Sequence, residues 1–373
     1  MKNIFKKVIT SILLWESKLI LKKYKPFVIS ITGTVGKTST KDAIFTALST
    51  SDYVRRSDKS FNSEIGIPLT IIGCDNGWSD PIAWLSNIFQ GLELIVFKSD
   101  YPKTLVLEVG ADHPHDIESV SKWLQSDIVV MNKVGDIPAS AEEVLKEKSF
   151  LIKTLKPNGT LVLFSDDKKV SNLAQGVKQT VMTFGINEMA TVTASNISAF
   201  YNDDKTPEGM SFRINNKGNS IPMKINGTLG SQQIYPIIAA ITVGIAKGIA
   251  IPKLIDAFEK HSAPKGRMNI LKGMNDSTII DDTYNASPDA LREGLTTLAS
   301  LQVSGKRIAV IGDMMELGNF SAEEHRKAGI QAIQSSDVLV TVGPRAKVMS
   351  DKAIAFNNST DAGEYLKTII SQG

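Results

Sequence analysis

The run ITGTVGKTST, residues 31–40, carries the strongest chemical signal in the chain. Backbone N–H groups of a glycine loop at a helix N-terminus make an anion site, and a lysine adds a movable positive charge. On that reading Gly33, Thr34, Gly36 and Ser39 belong to a phosphate-binding loop. Lys37 reaches the β/γ-phosphates of a nucleotide, and the Thr38 hydroxyl is placed to ligate magnesium. The spacing is a shortened form of the motif, because the glycine expected five residues before Gly36 is replaced by Ile31. A plain structural turn is the competing reading, but Phe27–Ile31 reads as a strand before the loop and Lys41–Leu48 as a helix after it.

Composition bounds the scaffold. At roughly 150 residues per domain, 373 residues suggest two to three domains. The hydrophobic share of 42% and charged share of 22% are those of a globular protein and exclude a disordered one. Lys and Arg number 42 against 39 Asp and Glu, a net charge of +3 that argues against a nucleic-acid partner. One cysteine, Cys74, excludes an internal disulfide and a multi-cysteine zinc site.

Residues 1–25 form an apolar stretch flanked by lysines and interrupted by Glu16 and Lys18, too broken to span a membrane. Val8, Ile12, Trp15 and Leu19 recur at helical spacing, so the segment is expected to be an amphipathic helix packed through that stripe on the next domain. Weak attachment to a membrane surface and docking of a partner are the other readings.

Beyond Pro26, apolar runs at Thr104–Val109, Ile128–Met131 and Thr160–Phe164 alternate with helical stretches near 114–124 and 141–155. Such alternation predicts an α/β domain with a parallel sheet. From about 179 to 228 the segments TVMTF, TVTASNISAF, MSFRIN and IPMKI predict a small antiparallel section. Helical patterns return at Gln232–Lys247 and Pro252–His261. A boundary at 262–266 divides a central domain, 26–263, from a C-terminal domain, 264–373. The latter is expected to be a Rossmann-like α/β unit built from TIIDD, a helix from Pro288, RIAVIG, a helix from Ser321 and VLVTVG. Its end at Ser371-Gln372-Gly373 falls where another strand is expected.

Five ordered segments together resemble one family. They are the shortened loop at 31–40, FNSEIGIPLT at 61–70, LEVGADHPHDI at 107–117, IIDDTYNASPDAL at 279–291, and VIGDMMELG at 310–318 followed by His325. The chain resembles the Mur ligases, ATP-dependent amide ligases of peptidoglycan precursor assembly. Within them it is nearest to those joining D-alanyl-D-alanine to UDP-N-acetylmuramoyl-tripeptide. The resemblance implies ATP and Mg2+, an acyl-phosphate intermediate and small-molecule substrates (a UDP-muramoyl-peptide and a dipeptide amine), and with ATP use and no export signal in view a cytoplasmic location is expected. It leaves the oligomeric state open.

The resemblance also distributes roles. Glu108 becomes a magnesium ligand rather than a solvated strand-end charge. Lys148, in LKEKSFLI, becomes the lysine that the family carbamylates, whereas helical periodicity alone puts Lys146 and Lys148 on an exposed face. Arg267, in KGRMN, becomes the γ-phosphate arginine, a task that suits a fixed, always-charged fork. Asp282 and Asn285 become nucleotide contacts, with Asp281 as a capping neighbour. Asn62 becomes a contact on the substrate or phosphate side. His113, on the loop after Glu108, is read as a substrate or metal contact or as structural. Asp313, Glu316 and His325 lie where ligands gather at strand ends, facing the incoming amine, with Met314 and Met315 in the core.

Three departures from the family stand out. Only about 25 residues precede the ATPase domain, where these enzymes carry a uridine-binding domain. Ser140 stands nearest the place of an expected metal-binding histidine. Gln232 and Pro236 stand where the family offers His and Asn near the adenine. These keep open a ligase for a different carboxylate and amine, and a ligase-inactive nucleotide-binding subunit. An unrelated P-loop kinase is opposed by the DDTYN and GDMMELG segments.

Overall fold

The computed structural model describes residues 2–57, 61–111, 113–134 and 141–370. Ser140 and residues 371–373 therefore lie outside the described part. The chain forms two compact units: 1–195 with 214–221 and 235–260, and 196–213 with 222–234 and 261–373.

In the first unit, helix α1 (Lys2–Tyr24) precedes strand β1 (Phe27–Thr32), helix α2 (Lys37–Ser49) and strand β2 (Val54–Arg56). Helices α3 (Gly66–Ile72) and α4 (Pro81–Val96) lead to β3 (Thr104–Glu108), α5 (Asp116–Ser121), β4 (Ser126–Met131) and α6 (Ala141–Ser149). Strand β5 (Leu155–Phe164), the short α7 (Lys168–Ser171) and β6 (Thr180–Gly185) follow. Strands β7 (Val192–Tyr201), β8 (Pro207–Asn216) and β9 (Asn219–Asn226) each pass from one unit into the other. Helices α8 (Ile234–Ala246) and α9 (Ile251–Asp256) close this part.

The sheet order is β2-β3-β1-β4-β5-β6-β7-β8-β9. Strands β2 to β6 pair in parallel, and β1 lies between β3 and β4. Its sequence, FVISIT, is apolar and β-branched on both faces, as a strand covered on both sides must be, and Val28–Thr32 are all buried. At β1 the order reverses, and open α/β sheets leave a crevice at the strand ends there. TVMTF does not open an antiparallel section: β6 pairs in parallel with β5, from Thr160 opposite Thr180 to Phe164 opposite Phe184. A two-residue turn with positive φ at Lys217 and Gly218 joins β8 to β9, the geometry of a tight hairpin.

The expected stripe of α1 is also corrected. Ile9, Leu13 and Ile20 are buried, whereas Val8 and Trp15 are each 52% exposed. The inward stripe is displaced by one residue, because two apolar stripes run along this helix.

In the second unit, β10 (Asn269–Lys272) and β11 (Thr278–Asp281) form an antiparallel pair. TIIDD is thus not a strand of the C-terminal parallel sheet. That sheet consists of β12 (Ile308–Gly312), β13 (Val338–Val342) and β14 (Ile354–Phe356), all parallel. Helices α10 (Pro288–Ser300), α11 (Ser321–Ser335) and α12 (Ser359–Ile369) accompany it. Ser287 caps α10 by accepting from the Ala290 amide, and Pro288 fills the first helical position. Leu295, Ile311, Met314, Ala332 and Leu339 centre the core between these helices and the sheet.

Candidate active site

The loop after β1 is shaped by two glycines. At Gly33, φ is +149° and a Cβ would meet the Asn132 Cβ at 2.7 Å. At Gly36, φ is +81°, which sets the left-handed residue before α2. Lys133 O accepts from the Thr34 amide at 2.8 Å and from the Val35 amide at 3.4 Å. Those two donors hold the loop to the end of β4 instead of facing a phosphate. The Lys37 ammonium folds over the loop, donating to Gly33 O at 2.9 Å and Thr34 O at 3.3 Å.

Pairing of β1 with β3 sets Ile31 opposite Glu108. The Thr38 hydroxyl, in the first turn of α2, donates to the Glu108 carboxylate, 3.2 Å from each oxygen. One turn further along α2, Lys41 is fully buried, with Nζ 3.8 Å from Glu108 Oε2, 3.7 Å from Asp42 and 3.4 Å from Ser57 Oγ. Burial pulls its pKa below the ordinary lysine value, against the opposing pull of Asp42 and Glu108. Sequence reasoning missed Lys41; its signal was a lysine three and four residues after Thr38 and Lys37, on the same face of the helix. Asn132, also missed, donates through Nδ2 to Thr40 Oγ1 at 2.9 Å.

Asn62 meets the loop that follows Glu108. The Gly110 amide donates to Asn62 O at 2.8 Å, and a Cβ on Gly110 would lie 2.8 Å from Asn62 Nδ2. The His113 side chain is exposed, while its amide donates to Asp116 at 2.8 Å and thereby helps to start α5. Glu147 on α6 accepts from the amides of His115 at 3.0 Å and Ile117 at 2.7 Å, tying α6 to the N-terminus of α5. That tie turns the next residue, Lys148, inward, so it is buried while Lys146 is exposed. Burial and the charge of nearby Lys37 push the Lys148 pKa down to about 8.

The Thr38 hydroxyl and Glu108 carboxylate are hard oxygen donors of the kind Mg2+ takes beside water and phosphate oxygens. Among the described residues there is no cluster of three or more His, Cys, Asp or Glu side chains that could hold a metal. The donor set therefore fits an ion held in large part by water and nucleotide, and it does not fit a stand-alone protein cage.

In the second unit the Arg267 guanidinium stacks 4.2 Å from the centre of the Tyr284 ring. The Tyr284 amide donates to Gly266 O at 3.1 Å, so the DDTYN loop and the KGR turn are one local structure. Burial raises the Asp282 pKa, opposed by the Arg267 charge. Asp281 accepts from the Thr283 amide and hydroxyl, a turn-forming role, and Asn285 is exposed. The two amide atoms of Gln232 are buried with no protein partner, so the side chain retains a donor and an acceptor. Pro236 lies in the first turn of α8.

The VIGDMMELG loop differs most from expectation. His325 is fully buried; its Nε2 accepts from the Met314 amide at 3.0 Å and its Nδ1–H donates to Ser321 O at 2.7 Å. Both ring nitrogens are engaged in bracing the loop, so His325 does not face an incoming amine. Asp313 accepts from the amides of Arg345 at 2.9 Å and Ala346 at 2.7 Å, which starts the turn at 346–349. Glu316 is exposed, with φ at +63°. Met314 is in the core as expected, but Met315 is exposed.

The Mur ligase middle domain matches residues 31–244, and the Mur ligase glutamate ligase domain matches residues 266–371. The chain belongs to the Mur ligase family. Among its relatives, the UDP-N-acetylmuramoyl-tripeptide--D-alanyl-D-alanine ligase of Bacillus subtilis is 26% identical over 317 residues, covering 84% of this chain and 62% of that protein. The enzyme of the same name from Buchnera aphidicola is 27% identical over 352 residues, covering 91% and 69%. The chain thus spans about 62% of the length of the Bacillus relative. In fold, this Mur ligase chain resembles the MurF ligase of Thermotoga maritima solved in complex with ADP, at a TM-score of 0.80. The identity there is 24%, with 98% of this chain and 78% of that one covered. MurF from Acinetobacter baumannii gives a TM-score of 0.78 at 22% identity, covering 97% and 74%.

Proposed function

We propose that this Mur ligase chain is an ATP-dependent amide ligase of the MurF type, joining D-alanyl-D-alanine to the carboxylate of a UDP-N-acetylmuramoyl-tripeptide. The observation that carries the reading is the convergence of Lys37, Thr38 and Glu108 at the ends of β1 and β3, with Lys148 close enough to feel the charge of Lys37. A carboxylate becomes reactive toward an amine once its oxygen is phosphorylated, and the reaction then releases ADP and phosphate. Lys37 neutralises the transferring phosphoryl group, and Thr38 and Glu108 hold Mg2+. That ion, when bound, spreads the negative charge of the phosphates. Lys148, as its carbamate, adds an anionic oxygen on the same side.

Arg267, Asp282 and Asn285 are the nucleotide contacts we assign to the second unit, and the orphan amide of Gln232 supports a polar contact to the base. Asn62, His113 and Glu316 are the side chains assigned to substrate. The domains are taken as 26–263 and 264–373, with residues 1–25 ahead of them, and the enzyme draws on cytoplasmic ATP.

The reading is tested by ADP release from the purified protein with UDP-muramoyl-tripeptide and D-alanyl-D-alanine, each alone and together. Release that requires both supports it. ATP binding without release overturns it, and moves the chain to another carboxylate and amine or to a nucleotide-binding subunit.

A further inference from the structure

Helices α1 and α4 lie side by side and run in the same direction. Glu16 abuts Gly91, whose added Cβ would come within 2.3 Å of its carboxylate, and the Tyr24 hydroxyl donates to Leu94 O at 3.0 Å. Each helix carries two apolar seams. The inward seam of α4 is Trp84, Asn87, Gly91 and Leu94, so two of its four positions are polar or lack a side chain. The outward seam is Ile82, Leu85, Phe89 and Val96, all exposed, with Phe89 at 62%. In α1 the outward positions Val8 and Trp15 repeat the same spacing of seven. Exposed apolar residues scattered singly need no explanation, but two adjacent helices exposing heptad-spaced seams do.

The charge distribution says what covers them. Residues 1–25 hold seven lysines and one acid, Glu16, which is buried. They carry +6, while the rest of the chain, with 35 basic and 38 acidic residues, carries −3. Lys7, Lys18, Lys22 and Lys25 are exposed beside the outward seam of α1. On α4 the sole acid is Glu93, and Asp80 ahead of it accepts from the Ile82 amide as the helix cap. Aromatic and aliphatic side chains flanked by unbalanced lysines match a surface with an apolar interior and anionic headgroups. Among the described residues no helix is long and apolar enough to cross a membrane, so the contact is one of lying on the surface.

We propose that α1 and α4 form an interfacial face that docks the protein on an anionic lipid bilayer. This stands independently of the ligase reading.

The test is co-sedimentation of the intact chain with vesicles of equal parts phosphatidylglycerol and phosphatidylcholine, and with vesicles of phosphatidylcholine alone. Binding to the first and not the second is expected, weakening with salt. The double variant Trp15→Ser/Phe89→Ser and the charge-reversal variant Lys18→Glu/Lys22→Glu should each partition at least about tenfold more weakly. Both pairs are exposed, so thermal unfolding should be unchanged and ADP release without lipid should be kept. Absence of binding to anionic vesicles overturns the proposal, as does binding that neither variant weakens. Concentration-dependent dimerisation, abolished by Trp15→Ser/Phe89→Ser with no vesicle binding, would assign the face to a second copy of the chain.

Discussion

The hydroxyl of Thr38 stands 3.2 Å from each carboxylate oxygen of Glu108, although 70 residues separate them in sequence. Parallel pairing of β1 with β3 creates that proximity, and buried Lys41, one turn along α2, lies 3.8 Å from the same carboxylate. Glu108→Gln keeps the shape but removes the charge, so the Mg2+ concentration for half-maximal ADP release should rise roughly 10–100-fold. Lys41→Met leaves Glu108 buried without its nearest cation. It should cost about 3–5 kcal/mol in urea unfolding, well beyond the effect of Lys37→Ala, whose loss should appear in ATP binding by calorimetry.

Lys148 combines burial with a pKa near 8. A lysine whose pKa is lowered is increasingly the free amine as pH rises through that value, and only the free amine adds carbon dioxide. Activity should therefore climb between about pH 7 and 9 and respond to added bicarbonate. Carbon-13 bicarbonate should give a carbamate resonance in the wild type and none in Lys148→Arg. Persistence of that resonance in the variant would remove Lys148 from the site.

Glu16 has both carboxylate oxygens buried without a hydrogen-bond partner, and burial raises its pKa from 4.5 to about 7. Cys74, after α3, is the neighbouring titratable group that feels its charge. The folded state binds this proton more tightly than the unfolded chain, so stability falls as pH rises from about 4.5 to 7 and levels off above. Glu16→Gln should flatten that slope in pH-dependent thermal unfolding and be more stable than wild type at pH 8, by on the order of 1–2 kcal/mol.

His325 braces the loop after β12 through both nitrogens. His325→Ala should destabilise the protein by about 1–3 kcal/mol, since the Met314 amide loses its acceptor. The pH profile of activity should keep its shape, which a proton-transferring histidine would not allow.

The α/β class was legible because apolar runs and helical periods alternate, and the strand–glycine loop–helix order at 27–49 because Gly33 and Gly36 punctuate it. The direction of β6 was not, since TVMTF has the same residue pattern whichever way its neighbour runs. For α1, two apolar seams competed, and composition alone does not say which faces inward. A histidine in a motif looks the same as ligand or brace, and only the amide of Met314 and the carbonyl of Ser321 distinguish them. Glu147 was invisible because a glutamate on a helix is ordinarily solvated, and the same expectation masked the spacing of Lys41 from Lys37 and Thr38.

The placement of β1 between β3 and β4 has a consequence for the timing of synthesis. Ile31 pairs with Glu108 on one side and Val130 on the other, so its strand is complete only after about 100 more residues have emerged. At roughly 5–20 residues per second, that is about 5–20 s on the ribosome. Until β3 emerges β1 has no sheet neighbour on either side, and until β4 follows one of its edges stays open to other chains.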